Sequence, residues 1–327
     1  MWRRICKVAM LAGGICAGIP GLCQAQSPQY PTRRFTLVVP FAPGGATDTI
    51  ARIVAQHLGK EFGQSVIVEN RPGASGIVGT AAVAKSPPDG YTLLLGSADT
   101  ITINPHLHKN LPFDSLTDLV PVALVADAPE IIVASASLPA SNLREFIELA
   151  RAKPGGFNYG SPGVGTIPHL AGVLFARMIG TQMVHVSFRG SAVAMMEVAS
   201  GSIQMTVSTK ASADPFAQTG KVKFLAIAGP RRLDSLPDIP TTAEAGLPGY
   251  EISNWWGVLA PQGTSPDIIA LLNSSLRKAF DDPANAALLT RQGILPVKST
   301  VQEFAERIHL DYRRWKEIVA ESGVHLD

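Results

Sequence analysis

"LVVPFAPGGATDTIARIV", Leu37 to Val54, decides how this chain is read. A short apolar run ends in a loop carrying Pro40, Pro43, Gly44 and Gly45. Ile50, Ile53, Val54 and Leu58 then recur at helical spacing. A connection that had only to turn could be shorter. The first-turn N–H groups of a helix lack internal partners and lie at the positive end of a dipole worth roughly half an elementary charge. Glycine lets the backbone approach a ligand with no Cβ in the way. The loop therefore reads as an anion-binding helix start, with Phe41, Ala42, Gly44, Gly45, Ala46, Thr47 and Asp48 as candidate residues. Asp48 carries two readings, a stabiliser of the helix start or an acceptor for an amine or water of the ligand. Thr47 can be a cap or a ligand hydroxyl.

A second stretch, "NYGSPGVGTIPHLAGVLFARM", Asn158 to Met178, repeats this logic in the other half of the chain. A short strand runs into Ser161, Pro162, Gly163 and Gly165. Thr166 is placed to cap a helix, and Pro168 falls in the first turn, where a missing N–H costs nothing. Leu170, Val173, Leu174 and Met178 have the same offsets as the apolar positions after the first loop. Ser161, Gly163, Gly165, Thr166 and His169 complete the expected anion clamp. In open α/β sheets ligands sit at the carboxyl ends of the strands, where such loops lie.

The rest of the chain alternates strand-like and helix-like runs, which predicts an α/β protein with mostly parallel sheets covered by helices. Met1 to Ala25 has the charged, apolar, small-residue order of a cleavable secretory signal, so residues 1–25 are set apart and a periplasmic location is expected. An uncleaved anchor is the alternative, but the apolar run is short and glycine-rich for a membrane span. All three cysteines fall in this segment, which leaves the remainder without thiol, disulfide or cysteine metal ligand. The full chain has 28 basic and 26 acidic residues; without Arg3, Arg4 and Lys7 the balance is 25 to 26, a net −1. That balance gives no reason to expect a nucleic-acid partner or an acidic membrane surface. About 300 residues remain, enough for two domains. The apolar runs around Asp127-Ala128-Pro129 mark the crossing into a second domain, and "YEISNWWGVLAP" marks the return. The expected division is 26–127 with 251–327 as a discontinuous first domain, and 128–250 as the second.

Several segments together carry a family resemblance. "YPTRRFTLVVPFAPGGATDTIAR", "VIVENRPGASGIVGTAAVAKSPPDGYTLLLG", "INPHL", "FNYGSPGVGTIPHLAG", "LPDIPTTAEAGLPGYE" and "WWGVLAPQGT" resemble the tripartite tricarboxylate transporter substrate-binding receptors, the Bug (Bordetella uptake gene) family. The likeness runs from about Tyr30 to the C-terminus. It implies a periplasmic binding protein of type II, two α/β domains closing on a cleft. The ligand would be a small carboxylated molecule: a dicarboxylate, an amino acid or an aromatic acid. A monomer not embedded in the membrane would deliver it to transporter subunits or a signalling partner, with no cofactor, metal or catalysis. It also implies that the two loops, Phe41 to Asp48 and Gly160 to His169, hold a carboxylate largely through backbone groups and waters, and that Ser97 lies at the cleft. This chain departs from the family pattern at Ser187-Phe188-Arg189-Gly190, where Pro-Tyr-Lys-Gly is common. It departs again at Val207-Ser208-Thr209-Lys210, where an aspartate is common. If Ser208 faces the cleft, a hydroxyl has replaced a carboxylate, which favours a less cationic ligand or one with a second anionic or hydroxyl end.

Enzyme readings find little support. No His-Glu-x-x-His, Gly-x-Ser-x-Gly or Gly-Lys-Ser/Thr pattern exists. His106-Leu107-His108 follows Pro105 and, read as strand, makes a weak metal pattern. Ser275-Leu276-Arg277-Lys278 matches Ser-x-x-Lys without a companion motif. The rival to a receptor is an exported α/β hydrolase or isomerase using His169 or Asp48 as a base. Trp255-Trp256 reads as an aromatic pair at the domain junction, or as a stacking platform for a ring.

Overall fold

The computed structural model describes residue 2 and residues 30–326. The expected signal segment lies outside the described residues but for Trp2. From the N-terminal side the elements are β1 (Phe35–Val39), α1 (Ala46–Phe62), β2 (Val66–Asn70), α2 (Ile77–Ala84), β3 (Thr92–Ser97) and α3 (Asn104–Leu107). Then come β4 (Leu119–Pro129), β5 (Ile131–Ser135), α4 (Leu143–Ala152), β6 (Asn158–Ser161), α5 (Ile167–Met178), β7 (Val184–Ser187) and α6 (Ser191–Ser200). They are followed by β8 (Met205–Ser208), α7 (Lys210–Ala217), β9 (Val222–Ile227), β10 (Ser253–Pro261), α8 (Pro266–Leu276), α9 (Pro283–Arg291), β11 (Leu295–Pro296) and α10 (Val301–Ser322).

Two mixed sheets result. The first has the order β11-β4-β10-β3-β1-β2, the second β7-β6-β8-β5-β9. β1 pairs in parallel with β2 and β3, while β10 runs antiparallel between β3 and β4. Alternation along β1 explains its wholly apolar sequence. Phe35, Leu37 and Val39 join Ile50, Val54 and Leu58 of α1 in one core, and Val38 turns the other way into a second. A strand buried on both faces reads as a continuous apolar run. In the second sheet Ile132 and Ala134 pack toward Phe146 and Leu143 of α4, and Ile131 and Val133 toward Met195 and Val198 of α6.

Two sequence readings change. The run Asp127-Ala128-Pro129 is not a break: β4 continues through it because Ser253, Asn254 and Trp255 of β10 pair with those three residues. Glu130 alone separates β4, in the first sheet, from β5, in the second. The chain returns at Ile252, beside it: the Glu130 N–H donates to the Ile252 carbonyl, and the Glu130 carbonyl accepts from the Ala228 N–H, both at 2.8 Å. The histidines near 106 are not on a strand. Asp99–Ile103 forms a π-type turn that leads into α3, which has Pro105 in its first turn. His106 lies edge-on to Tyr312 and its ring bonds the Tyr312 carbonyl at 2.9 Å.

α10 packs against β4 of the first sheet. It opens with a capping box between Thr300 and Glu303 and ends at Gly323 in the left-handed region. The Trp255 Nε1–H donates to Asp311 on this helix at 2.8 Å.

Candidate functional site

A cavity of about 410 Å³ lies between the two sheets. Four helix starts contribute to its wall: Ala46 and Thr47 of α1, Ile167 and Pro168 of α5 with its cap residue Thr166, Ser191 of α6, and Ser212 of α7 with its cap residue Thr209. No side chain hydrogen-bonds to cap any of these four helices. Apart from Pro168, which has no N–H, and Ser212, whose N–H donates to the Thr209 carbonyl at 3.2 Å, their first-turn N–H groups and positive dipole ends are therefore available to an anion. No lysine or arginine stands in the cavity wall among the described residues.

The first loop is held from behind. Gly44 has φ +93°, and its N–H donates to Asp48 Oδ2 at 3.1 Å. Arg52 Nε donates to the same oxygen at 2.9 Å. The Asn70 amide donates to both Asp48 Oδ1 and the Phe41 carbonyl, each at 3.1 Å. Burial pushes the Asp48 carboxyl up, but the hydrogen bonds from Arg52, Gly44 and Asn70 outweigh it and hold the group below its ordinary value. An ionised, fully engaged Asp48 is a loop brace. It offers no free lone pair to serve as a base. Thr47 faces the cavity, and its hydroxyl oxygen accepts from Trp256 Nε1–H at 2.8 Å. Alternation on β10 separates the two tryptophans: Trp255 is buried against α10, and Trp256 lines the cavity.

The second loop has its own brace. The Gly165 N–H donates to His169 Nδ1 at 3.1 Å, so that nitrogen carries no proton. His169 stacks on His185 at 3.8 Å between ring centroids. His185 bonds the Ser161 hydroxyl at 2.7 Å, and that hydroxyl donates to the Gly163 carbonyl and accepts from the Gly163 N–H. Burial pushes His169 below its ordinary value; burial and then the neighbouring His169 bring His185 to about 4. Both imidazoles are neutral at pH 7. With its Nδ1 lone pair taken by Gly165, His169 supports the loop and does not face the cavity as a base. Thr166 does not cap α5: its hydroxyl donates to the Gly163 carbonyl at 2.7 Å.

Of the residues singled out in the sequence, Phe41, Ala46, Thr47, Ser97, Gly165, Thr166 and Ser208 line this cavity together. Ala42, Gly44 and Gly45 lie exposed along the first loop, and Asp48 behind it. Ser161, Gly163 and His169 shape the second loop from outside the wall. Ser208 is joined by Thr209 and Ser212, a patch of hydroxyls. Sequence reasoning missed Ser75, Asp99, Asn104, Glu130 and Asn254, which also line the cavity. The "INPHL" and "NRPGASG" segments contain two of them, but neither motif says which side chain turns inward.

The profile of the family described as "Tripartite tricarboxylate transporter family receptor" matches residues 50–324. The chain belongs to this family, the TctC or Bug receptors. Protein BugT of Bordetella pertussis is 35% identical to it over 311 residues, 95% of each chain. A structure described as that of a periplasmic transporter shares 37% identity and a TM-score of 0.76, with 91% of this chain and 100% of the other covered. The R. palustris protein Rpa4515, solved with adipate, shares 33% identity and a TM-score of 0.76, with 90% and 99% covered. The TctC family is one of solute-binding receptors rather than enzymes, and this receptor has their two-sheet periplasmic binding-protein fold.

Proposed function

We propose that this receptor captures a small carboxylated molecule, with its carboxylate held between the starts of α1 and α5, and presents it to a membrane transporter or a signalling partner. One observation carries the reading: uncapped helix starts from both sheets meet at one cavity with no cationic side chain in its wall among the described residues. Such termini supply N–H donors and partial positive charge without the desolvation cost of a buried lysine. The relative Rpa4515, solved with adipate, supports a carboxylate ligand.

In this reading the lobes follow the expected division, 26–127 with 251–327 and 128–250, except that β4 carries the first lobe on to Pro129, and they are hinged where Glu130 and Ile252 cross side by side. Only the closed form brings both loops onto one anion, so ligand shifts an open–closed equilibrium. The receptor acts as an exported monomer whose residues 1–25 have been removed.

A thermal-shift screen of residues 26–327 tests this against mono-, di- and tricarboxylates, amino acids, aromatic acids and uncharged amides. A ligand present at 100 times its dissociation constant adds about 2.7 kcal/mol to stability. The expected outcome is a selective rise in melting temperature with one class of acid. A rise with amides alone would keep a receptor and discard the carboxylate.

A further inference from the structure

The cavity has a second pole. Glu130, the residue at which the chain crosses between sheets, is 3% exposed, and its Oε2 has no hydrogen-bond partner. Ser97, at the carboxyl end of β3, is 1% exposed, and its Oγ has none either. The Asn254 amide donates to Asp99 Oδ2 at 3.5 Å, which turns its Oδ1 away, and that oxygen too is buried without a partner. All four residues line the cavity. Buried polar atoms are rarely left unbonded in folded proteins, and three at one site call for a partner. Glu130 Oε2 and Asn254 Oδ1 want a donor, and Ser97 Oγ can accept one.

The charges point the same way. Asp99 is close enough to disfavour ionisation of Glu130, burial raises both carboxyls, and no counter-ion stands in the wall among the described residues. A carboxylate placed against this pair would be repelled and would leave the acceptors unfilled. An ammonium group offers three N–H donors and the opposite charge. The helix starts favour negative charge; the Asp99–Glu130 floor favours positive charge. Sequence reasoning took the hydroxyls at Ser208 and Thr209 to mean a less cationic ligand. The structure supplies two carboxyls elsewhere in the same cavity.

We infer that Asp99, Glu130, Asn254 and Ser97 form a subsite for a protonated amine, so that the ligand is a zwitterion with a carboxylate at the loops and an ammonium at the floor. This rests on the carboxylate reading of the loops and narrows the ligand class within it.

Calorimetric titration of the processed receptor with matched probes on one carbon skeleton tests the inference. The probes are α-amino acids and the ω-amino acids from glycine to 6-aminohexanoate, the corresponding carboxylates lacking the amine, the dicarboxylates including adipate, and the corresponding amines lacking the carboxylate. The expected result is at least one amino acid that binds tenfold or more tightly than its matched carboxylate and dicarboxylate. Glu130→Gln should reduce that preference at least tenfold. Asp99→Asn should reduce it in the same direction, and the wild-type comparison stands even if a variant fails to fold. Carboxylates or dicarboxylates that bind as tightly as their amino acids, or silence across the whole series, would overturn the inference. Amines without a carboxylate that bind as tightly as the amino acids would support the floor subsite and contradict the carboxylate reading of the loops.

Discussion

Replacing Glu130 with Gln is expected to stabilise the empty receptor at pH 8 and to remove a loss of stability that the wild type shows between about pH 5 and pH 8. Burial, and then the nearby Asp99, raise this carboxyl from 4.5 to about 8 in the folded protein. Below pH 4.5 the folded and unfolded states both hold the proton. As pH rises above that value the unfolded chain releases it and gains stability, while the folded chain holds it until about pH 8. Stability associated with this group is therefore complete at low pH and is lost as pH rises through the folded value. Each pH unit between the two values is worth about 1.4 kcal/mol, so the wild type loses on the order of 4 kcal/mol through this site alone. Asp99, raised to about 6 mainly by burial, adds a smaller loss of the same sign. Tyr250, the other titratable group facing Glu130, stays protonated across this range because burial raises it well above its ordinary value. Glutamine keeps the shape and cannot ionise. Urea melts at pH 5 and pH 8 measure the difference: the two proteins should be similar at pH 5 and separate at pH 8. Parallel curves across that range would mean that Glu130 does not hold a proton in the folded state.

Gly165→Val is expected to abolish detectable ligand binding, a loss of at least a hundredfold, with only a modest drop in melting temperature. Gly165 has φ +80°, in the region that side chains rarely adopt, and a Cβ there would lie 2.8 Å from Leu107 Cδ1 and 3.2 Å from Leu326 Cδ1. Valine forces the loop out of the left-handed region and pushes it from Leu107, which also lines the cavity. The Gly165 N–H then leaves His169, and the start of α5 tilts off the anion position. Strain of this kind costs about 1–3 kcal/mol of stability. Gly163→Ala is the matched control: its φ is not positive, and a Cβ would make only an ordinary 3.5 Å contact with Thr166. Titration of both variants with the ligand found by screening should show binding lost in the first and retained in the second. Normal binding by Gly165→Val would remove the second loop from the site.

Much of this was legible in the sequence because it is local. The apolar run Leu37–Val39, the helical spacing of Ile50, Ile53, Val54 and Leu58, and the glycine and proline loops each follow from a short-range rule. So does the likeness of the two halves. The family followed from several motifs in one order. The cavity floor was not legible. A π-type turn such as Asp99–Ile103 has no sequence signature, and nothing in the sequence singled out Asp99. Glu130 stands alone between two apolar strands, and its inward position depends on where the chain changes sheets. Asn254 reaches the floor only because β10 runs antiparallel beside β3 and β4.

Two polar residues misled for the opposite reason. Asp48 and His169 have the chemistry of a site, yet each is spent on a backbone N–H four residues earlier, Gly44 and Gly165 respectively. Side chains that bond their own loop cannot be told from ligand-binding ones without the loop's path. The tryptophan pair shows how little separates the cases. One residue along a strand turns Trp255 into α10 and Trp256 into the cavity.

The decisive measurement is the affinity of the screened ligand against the same molecule with its carboxylate converted to a carboxamide. The change removes the charge and keeps the size, so it isolates what the helix starts recognise. The acid is expected to bind, and the amide to bind at least a hundredfold more weakly. Equal affinities, or a preference for the amide, would contradict a carboxylate held between the starts of α1 and α5.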